Sequence, residues 1–257
     1  MKKITKNFSQ FFLSLLFSSI VLSSSLIHAA TEKKEKIEVA DQLLEKNQSI
    51  EEKYTFDFKG LTFVGYPNVY SPVIFPGASK QGKIPLRKGD SFLEMGCGTG
   101  IFSILAALEG ADRVVAIDVN PDAVANTKEN VRLHNLEKTI TVLEGDMFSP
   151  LNEKDKFDVI FFNIPFCHKN CNVEDLSMLG RSLYDPEHDI LYRFLKEGKN
   201  HLAPKGVMIL GYSTTHGDVP LMMEWAEKFH WDVQLIHKIG DETKDFVTVE
   251  MYKFSPK

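Results

Sequence analysis

Ser91–Gly110 reads SFLEMGCGTGIFSILAALEG, and how this stretch is read decides the fold. Ser91 to Cys97 is a short apolar run closed by glycine, the pattern of a buried strand. Ile101 to Gly110 reads as an apolar helix with a glycine stop. Between the two stand Gly96, Gly98 and Gly100. Glycines let such a turn take positive φ and let a ligand come close to the backbone. Strand, glycine turn and helix in this order open an α/β unit.

The same alternation continues downstream. RVVAIDV (113–119) is a second strand, and PDAVANTKENVRLHNL (121–136) a helix that Asn120 can cap and Pro121 can start. Strands TITVLEGD (139–146) and FDVIFFN (157–163) follow, then a helix PEHDILYRFLKEGKNHL (186–202) and a strand GVMILGYS (206–213). A helix around PLMMEWAEKF (220–229) precedes two closing strands, DVQLIHKI (232–239) and DFVTVEMYKF (245–254). The connection GDETK (240–244) between them is too short for a crossover, so they must run antiparallel. The expectation is an α/β, Rossmann-like, doubly wound fold. Its sheet has seven strands, mostly parallel, with an antiparallel C-terminal strand, and ligands lie beyond the carboxyl ends of the strands.

Upstream, residues 31–53 read as a short, partly exposed helix, and YTFDFKGLTFVGYPNVYSPVIFPGAS (54–79) as a hairpin and a loop. The first thirty residues have a lysine-bearing start, an apolar stretch from Phe11 to Ile27 and a small-residue end at Ala29-Ala30, the pattern of a secretory signal peptide. Three segments are expected: a leader over 1–30, an N-terminal extension over 31–84, and an α/β domain over 85–257. The leader implies an exported protein, periplasmic or secreted, or one anchored to the membrane through an uncleaved leader.

The formal charge is −5. Without Lys2, Lys3 and Lys6 it is 27 basic against 35 acidic residues, or −8. So acidic a body argues against a long phosphate backbone as partner, despite a local basic patch at Lys80, Lys83, Arg87 and Lys88. Three cysteines are too few for a disulfide scaffold. Cys97 reads as buried filler. Cys167, His168 and Cys171 fall short of the four ligands of a closed metal site, so no metal is expected. A disulfide between Cys167 and Cys171 and two separate thiols both stay open.

The glycine spacing is G-x-G-x-G, and a dinucleotide fingerprint would need glycine where Ile101 stands. Glu94, inside the strand, serves a pyrophosphate poorly and suits a cationic or zwitterionic ligand. Asp118 ends the second strand, where a carboxylate reaches the two hydroxyls of a ribose. Asp146 ends the third and can accept from an adenine amino group, with Met147 and Phe148 flanking the base.

With these residues in view, 85–257 resembles a class I S-adenosylmethionine-dependent methyltransferase. The resemblance implies S-adenosylmethionine as cofactor. It implies that Gly96, Gly98 and Gly100 pass under the methionine moiety near Glu94, that Asp118 holds the ribose, and that Asp146 and Met147 contact adenine. The fourth strand ends in IFFNIPF (160–166). Asn163 to Phe166 resembles the Asn-Pro-Pro-Tyr/Phe signature of amino-group methyltransferases, among them the release-factor glutamine methyltransferases and the small-domain RNA guanine and adenine methyltransferases, with Ile164 where that signature has proline. A planar amide nitrogen is a poor nucleophile, because its lone pair is delocalised. The side-chain carbonyl of Asn163 and the main-chain carbonyl of Ile164 can accept its N–H groups, Pro165 fixes the turn, and Phe166 offers a stacking face. His168 is either a proton acceptor or a loop histidine. FVGYPNVYSPVIFPG (63–77) resembles the segment of the same subgroup in which a loop covers the substrate, and Val69-Tyr70-Ser71-Pro72 would be that loop.

The expected activity is methyl transfer to a planar amide or amino nitrogen of a protein or small molecule. An RNA or DNA base methyltransferase and an exported, non-catalytic cofactor-binding protein are the alternatives. The membrane enters only through the N-terminal segment.

Overall fold

The structure is a computed structural model that describes residues 37–75, 77–241 and 247–257. The expected leader and most of the GDETK connection lie outside the described residues. The chain groups into two units, 1–41 and 42–257, and the second carries everything that follows. Among the described residues no helix is long and apolar enough to cross a membrane.

A helical segment over 42–48 leads into strands β1 (Tyr54–Phe58) and β2 (Leu61–Gly65). Then come β3 (Ser91–Met95), helix α1 (Ile101–Leu108), β4 (Arg113–Asp118), α2 (Pro121–Leu133), β5 (Ile140–Glu144) and β6 (Phe157–Asn163). The chain continues with α3 (Asp189–Glu197), β7 (Leu202–Tyr212), α4 (Val219–Lys228), β8 (Trp231–Ile239) and β9 (Val249–Pro256). Seven strands form one sheet in the order β5-β4-β3-β6-β7-β9-β8. The first five pair in parallel, and β9 inserts antiparallel between β7 and β8, as the short final connection requires.

Period-two alternation along the strands divides the core between the two faces of the sheet. Leu93, Ile160, Phe162, Met208 and Leu210 pack with Leu191, Phe194 and Leu195 of α3 and with Met222 and Ala226 of α4. Phe92, Val159, Phe161 and Ile209 pack with Ile101 and Ile104 of α1 and with Val131 of α2. Phe58 and Phe63 of the β1–β2 hairpin join this second cluster. The hairpin turns on Lys59 and Gly60, both at positive φ, as a tight two-residue turn demands.

The hairpin is tied to α2 by two fully buried asparagines one turn apart. Asn130 accepts from the amide of Val64 at 2.8 Å and donates to the carbonyls of Val64 and Thr99. Asn126 accepts from the amide of Tyr66 at 2.9 Å and donates to the carbonyl of Val64 at 2.7 Å. These carboxamides satisfy main-chain groups on the edge of β2 that would otherwise be buried without partners.

Several boundaries differ from the expected ones, and at two of them the backbone shows how. The helix expected over 186–202 is broken: Glu187 and His188 take φ of 57° and 58°, and α3 begins at Asp189. The cause is Asp185, whose buried carboxylate accepts from the amides of Ile190 and Leu191 and so caps α3 from outside the turn. At the other end β7 begins at Leu202 rather than Gly206. It kinks at Lys205, where φ is 66°, and its register against β6 shifts between Phe157 and Val159.

Candidate functional site

The carboxyl ends of β3, β4, β5 and β6 converge. Met95 pairs with Ile117 on one side and with Phe162 on the other, so Gly96, Asp118 and Asn163 follow on three adjacent strands. Gly96, Gly98 and Gly100 all take positive φ, as expected. Their surroundings differ. A Cβ on Gly96 would lie 2.7 Å from the ring of Phe162, and one on Gly100 2.7 Å from Thr127 Cγ2. A Cβ on Gly98 would meet nothing within 4 Å. The turn is therefore closed from below at its ends and open at its centre, a cradle in which a ligand can lie against bare main chain.

Asp118 shapes that cradle. Its Oδ2 accepts from the Gly98 amide at 2.8 Å and its Oδ1 from the Asn120 amide at 2.9 Å. Burial pushes its carboxyl up, and the amides of Asn120, Gly98 and Val119 pull it back. Each oxygen retains a lone pair for a further donor. Asn120 also caps α2 through the Asp122 amide and donates to the carbonyl of Asn68, fixing the approach to the loop that follows β2.

Glu94 is buried and bonded to α1. Its Oε2 accepts from the amide and the hydroxyl of Ser103 in the first turn of α1, at 2.7 and 2.5 Å. Burial pushes its carboxyl to about 8, against the pull of the Ser103 bonds. Asp146 is exposed and gripped by Arg193 of α3, Nη2 to Oδ2 at 2.8 Å and Nη1 to Oδ1 at 3.3 Å. Met147 is buried at φ 52°. Phe148 is buried too, its ring stacked on Phe194 and His201, so it belongs to the core and is not free to flank a base.

At the end of β6, Asn163 Oδ1 accepts from Gln81 Nε2 at 2.5 Å. Gly211, opposite Asn163 on β7, makes room for this pair, since a Cβ there would lie 2.7 Å from each of the two bonded atoms. Gln81 is itself held in place from β8. His237 Nε2 lies 3.1 Å from the Lys80 carbonyl, and its ring fills the space a Cβ on Gly82 would need. Ile164 and Pro165 are buried, and Phe166 is half-buried with its ring edge-on to Tyr212. Beyond it, Cys167 bridges to Tyr184, and His168 stacks on His188. No disulfide joins Cys167 and Cys171, and no cluster of three or more metal-ligating side chains exists among the described residues.

The expected covering loop is clamped at its root. Asn47, fully buried, donates to the Val69 carbonyl and accepts from the Ser71 amide, while Tyr54 donates to the Ser71 hydroxyl. Tyr70 stacks on Phe75 at 4.5 Å, and burial, with the Cys167 thiol nearby, holds its hydroxyl well above the usual tyrosine range. In the basic patch, Lys83 and Arg87 are matched by Glu109 and Asp90.

Gln81, Gly211, Thr127 and Arg193 were not singled out from the sequence. Thr127 and Asn130 sit on a helix where β-branched and carboxamide side chains are weak formers, which was the signal available for them. Gln81, in SKQGK, carries none.

The methyltransferase domain family matches residues 86–249. A chain of Methanocaldococcus jannaschii named as a protein N5-glutamine methyltransferase is 34% identical over 165 residues, covering 63% of this chain and 81% of that one. The ribosomal protein L11 methyltransferase of Thermosipho africanus is 46% identical over 146 residues, 57% of this chain and 46% of that one, so the match spans less than half of that relative. Among solved structures, Methanocaldococcus jannaschii Trm5 in complex with adenosine shares the fold at 19% identity. Its TM-score is 0.55, over 80% of this chain and 57% of that one.

Proposed function

The chain belongs to the S-adenosylmethionine-dependent methyltransferases, and we propose that its acceptor is a side-chain carboxamide nitrogen of a polypeptide. The observation that carries this reading is the carboxamide of Asn163 at the end of β6, one strand from the open glycine cradle. The M. jannaschii relative's name points the same way.

The residues present fit the cofactor. The main chain at Gly98 is bare, and Asp118 keeps acceptor capacity beside it. Gly96, Gly98 and Gly100 would lie under the methionine moiety, Asp118 would take the ribose hydroxyls, and Asp146 and Met147 would border adenine. Glu94 would act from behind, setting the turn through Ser103. When bound, the cofactor supplies a methyl group on a sulfonium centre. The protein's part is alignment. Asn163 Oδ1 accepts an N–H of the acceptor and turns its lone pair out of conjugation. Pro165 and Phe166 shape the wall behind it, and the nitrogen proton leaves to water.

Calorimetry of the 31–257 chain with the demethylated cofactor tests the first half of the reading, and silence there would end it. Asn163→Ala should abolish transfer to a protein acceptor while leaving that binding nearly intact. Full turnover in this variant would remove the assigned role. Residues 1–30 are proposed as an export leader, which the mass of the mature N-terminus tests.

A further inference from the structure

Gln81, bonded to the residue that ends β6, has polar atoms that do not balance. It is 6% exposed, and its Nε2 is bonded to Asn163, yet its Oε1 is buried with no partner. A buried carbonyl left unpaired is unfavourable, and native proteins keep few of them. This one is not an accident of a loose loop. His237 pins the segment from β8, and Gly211 is shaped to admit the Gln81–Asn163 pair.

The hydrogen bond between the two carboxamides limits where the unpaired oxygen lies. Nε2 faces Asn163 Oδ1, and Oε1 sits on the same carboxamide group, one carbon away from Nε2. Two carbonyl oxygens, Asn163 Oδ1 with a lone pair to spare and Gln81 Oε1 with both, are thus separated by no more than one hydrogen bond and one carboxamide group. A single N–H satisfies only one of them. A primary carboxamide carries two N–H bonds on one nitrogen and satisfies both.

We propose that Gln81 is a substrate-recognising residue. Its Oε1 takes the second N–H of a primary carboxamide whose first N–H goes to Asn163, the place the sequence assigned to the main-chain carbonyl of Ile164. The proposal rests on the carboxamide reading of the acceptor. It also explains how the reaction stops. Transfer replaces one N–H by N–CH3, with the proton lost to water. The product then has a single N–H for two acceptors and is held less well than the substrate.

The test is nuclear magnetic resonance of the full chain with labelled asparagine and glutamine side chains. The probes are acetamide, N-methylacetamide and N,N-dimethylacetamide, which carry two, one and no N–H bonds. Acetamide is expected to move the Gln81 and Asn163 carboxamide signals most and the dimethyl compound not at all. This ranking needs no variant. Gln81→Met, of similar length but without donor or acceptor, should weaken acetamide binding about tenfold, a difference of about 1.4 kcal/mol. It should also raise KM for a protein carboxamide acceptor more than it lowers kcat, and let a second methyl be added.

Equal response to the three amides would overturn the proposal. So would an unchanged Gln81→Met variant, which would return the second contact to Ile164. A preference for adenine over acetamide, or an ordered water on Oε1 that acetamide does not displace, would do the same. All these results leave the methyltransferase reading standing. That reading fails separately, by absence of cofactor binding, while full turnover of Asn163→Ala removes the role given to Asn163 and with it the carboxamide reading on which the proposal rests.

Discussion

Thr127 stands directly beneath Gly100. Its hydroxyl donates to the Gly98 carbonyl at 2.9 Å, and its methyl occupies the place a Cβ on Gly100 would take. The glycine turn is therefore shaped from α2 as much as from its own residues. Gly100→Ala meets both the methyl and a φ of 79°, and left-handed backbone alone costs about 1–2 kcal/mol for an L-residue. The variant should lower the urea midpoint clearly. Adding Thr127→Ser, which keeps the hydroxyl and removes the methyl, should restore the clash component and not the backbone component.

Asn130→Ala removes three hydrogen bonds from a fully buried site, two to Val64 and one to Thr99. At about 1 kcal/mol for each bond, the loss should approach 3 kcal/mol in chemical denaturation. Amide exchange at Val64 should accelerate. Exchange at Phe161, in the middle of β6, should change only with global stability.

Glu94 gives stability a particular pH dependence. Its carboxyl is raised from 4.5 to about 8 in the folded chain, so between those values the unfolded chain has lost a proton that the folded chain keeps. Folding is then opposed increasingly as pH rises through that window, and the effect levels off above it. Glu94→Gln should flatten this part of the stability–pH curve while leaving the Ser103 amide with an acceptor. A wild-type curve that rises over the same window would contradict the assignment.

Asn47→Ala unties the Val69 carbonyl and the Ser71 amide at the root of the covering loop. Limited proteolysis should then cut within 69–75 sooner than in the parent. Affinity for the cofactor, whose expected contacts lie on the strand ends, should change less than threefold, under about 0.7 kcal/mol.

The strand ends were the most legible part of the molecule. The boundaries of β6 match the expected 157–163 because an apolar run stops abruptly at a carboxamide and a proline. The glycine spacing likewise announced the positive φ angles. What stayed hidden depends on contacts far apart in the chain. Asp185 precedes a proline and a helical pattern, and nothing local tells it to capture the amides of Ile190 and Leu191 instead of letting the helix run from 186. Nothing local announces that Arg193 of α3, 47 residues away, grips Asp146. Gln81 meets Asn163 across 82 residues.

The asparagines of α2 bear on where this protein can be cut. A fragment begun at residue 85 would keep every strand of the large sheet. It would leave Asn126 and Asn130 facing water with carboxamides placed for a ribbon no longer there, and it would strip Phe58 and Phe63 from the cluster around α1. Such a fragment should express poorly or clump, and the shortest well-behaved piece should start ahead of Tyr54. In this fold the natural seam runs upstream of the hairpin, which behaves as part of the catalytic body and not as its appendage.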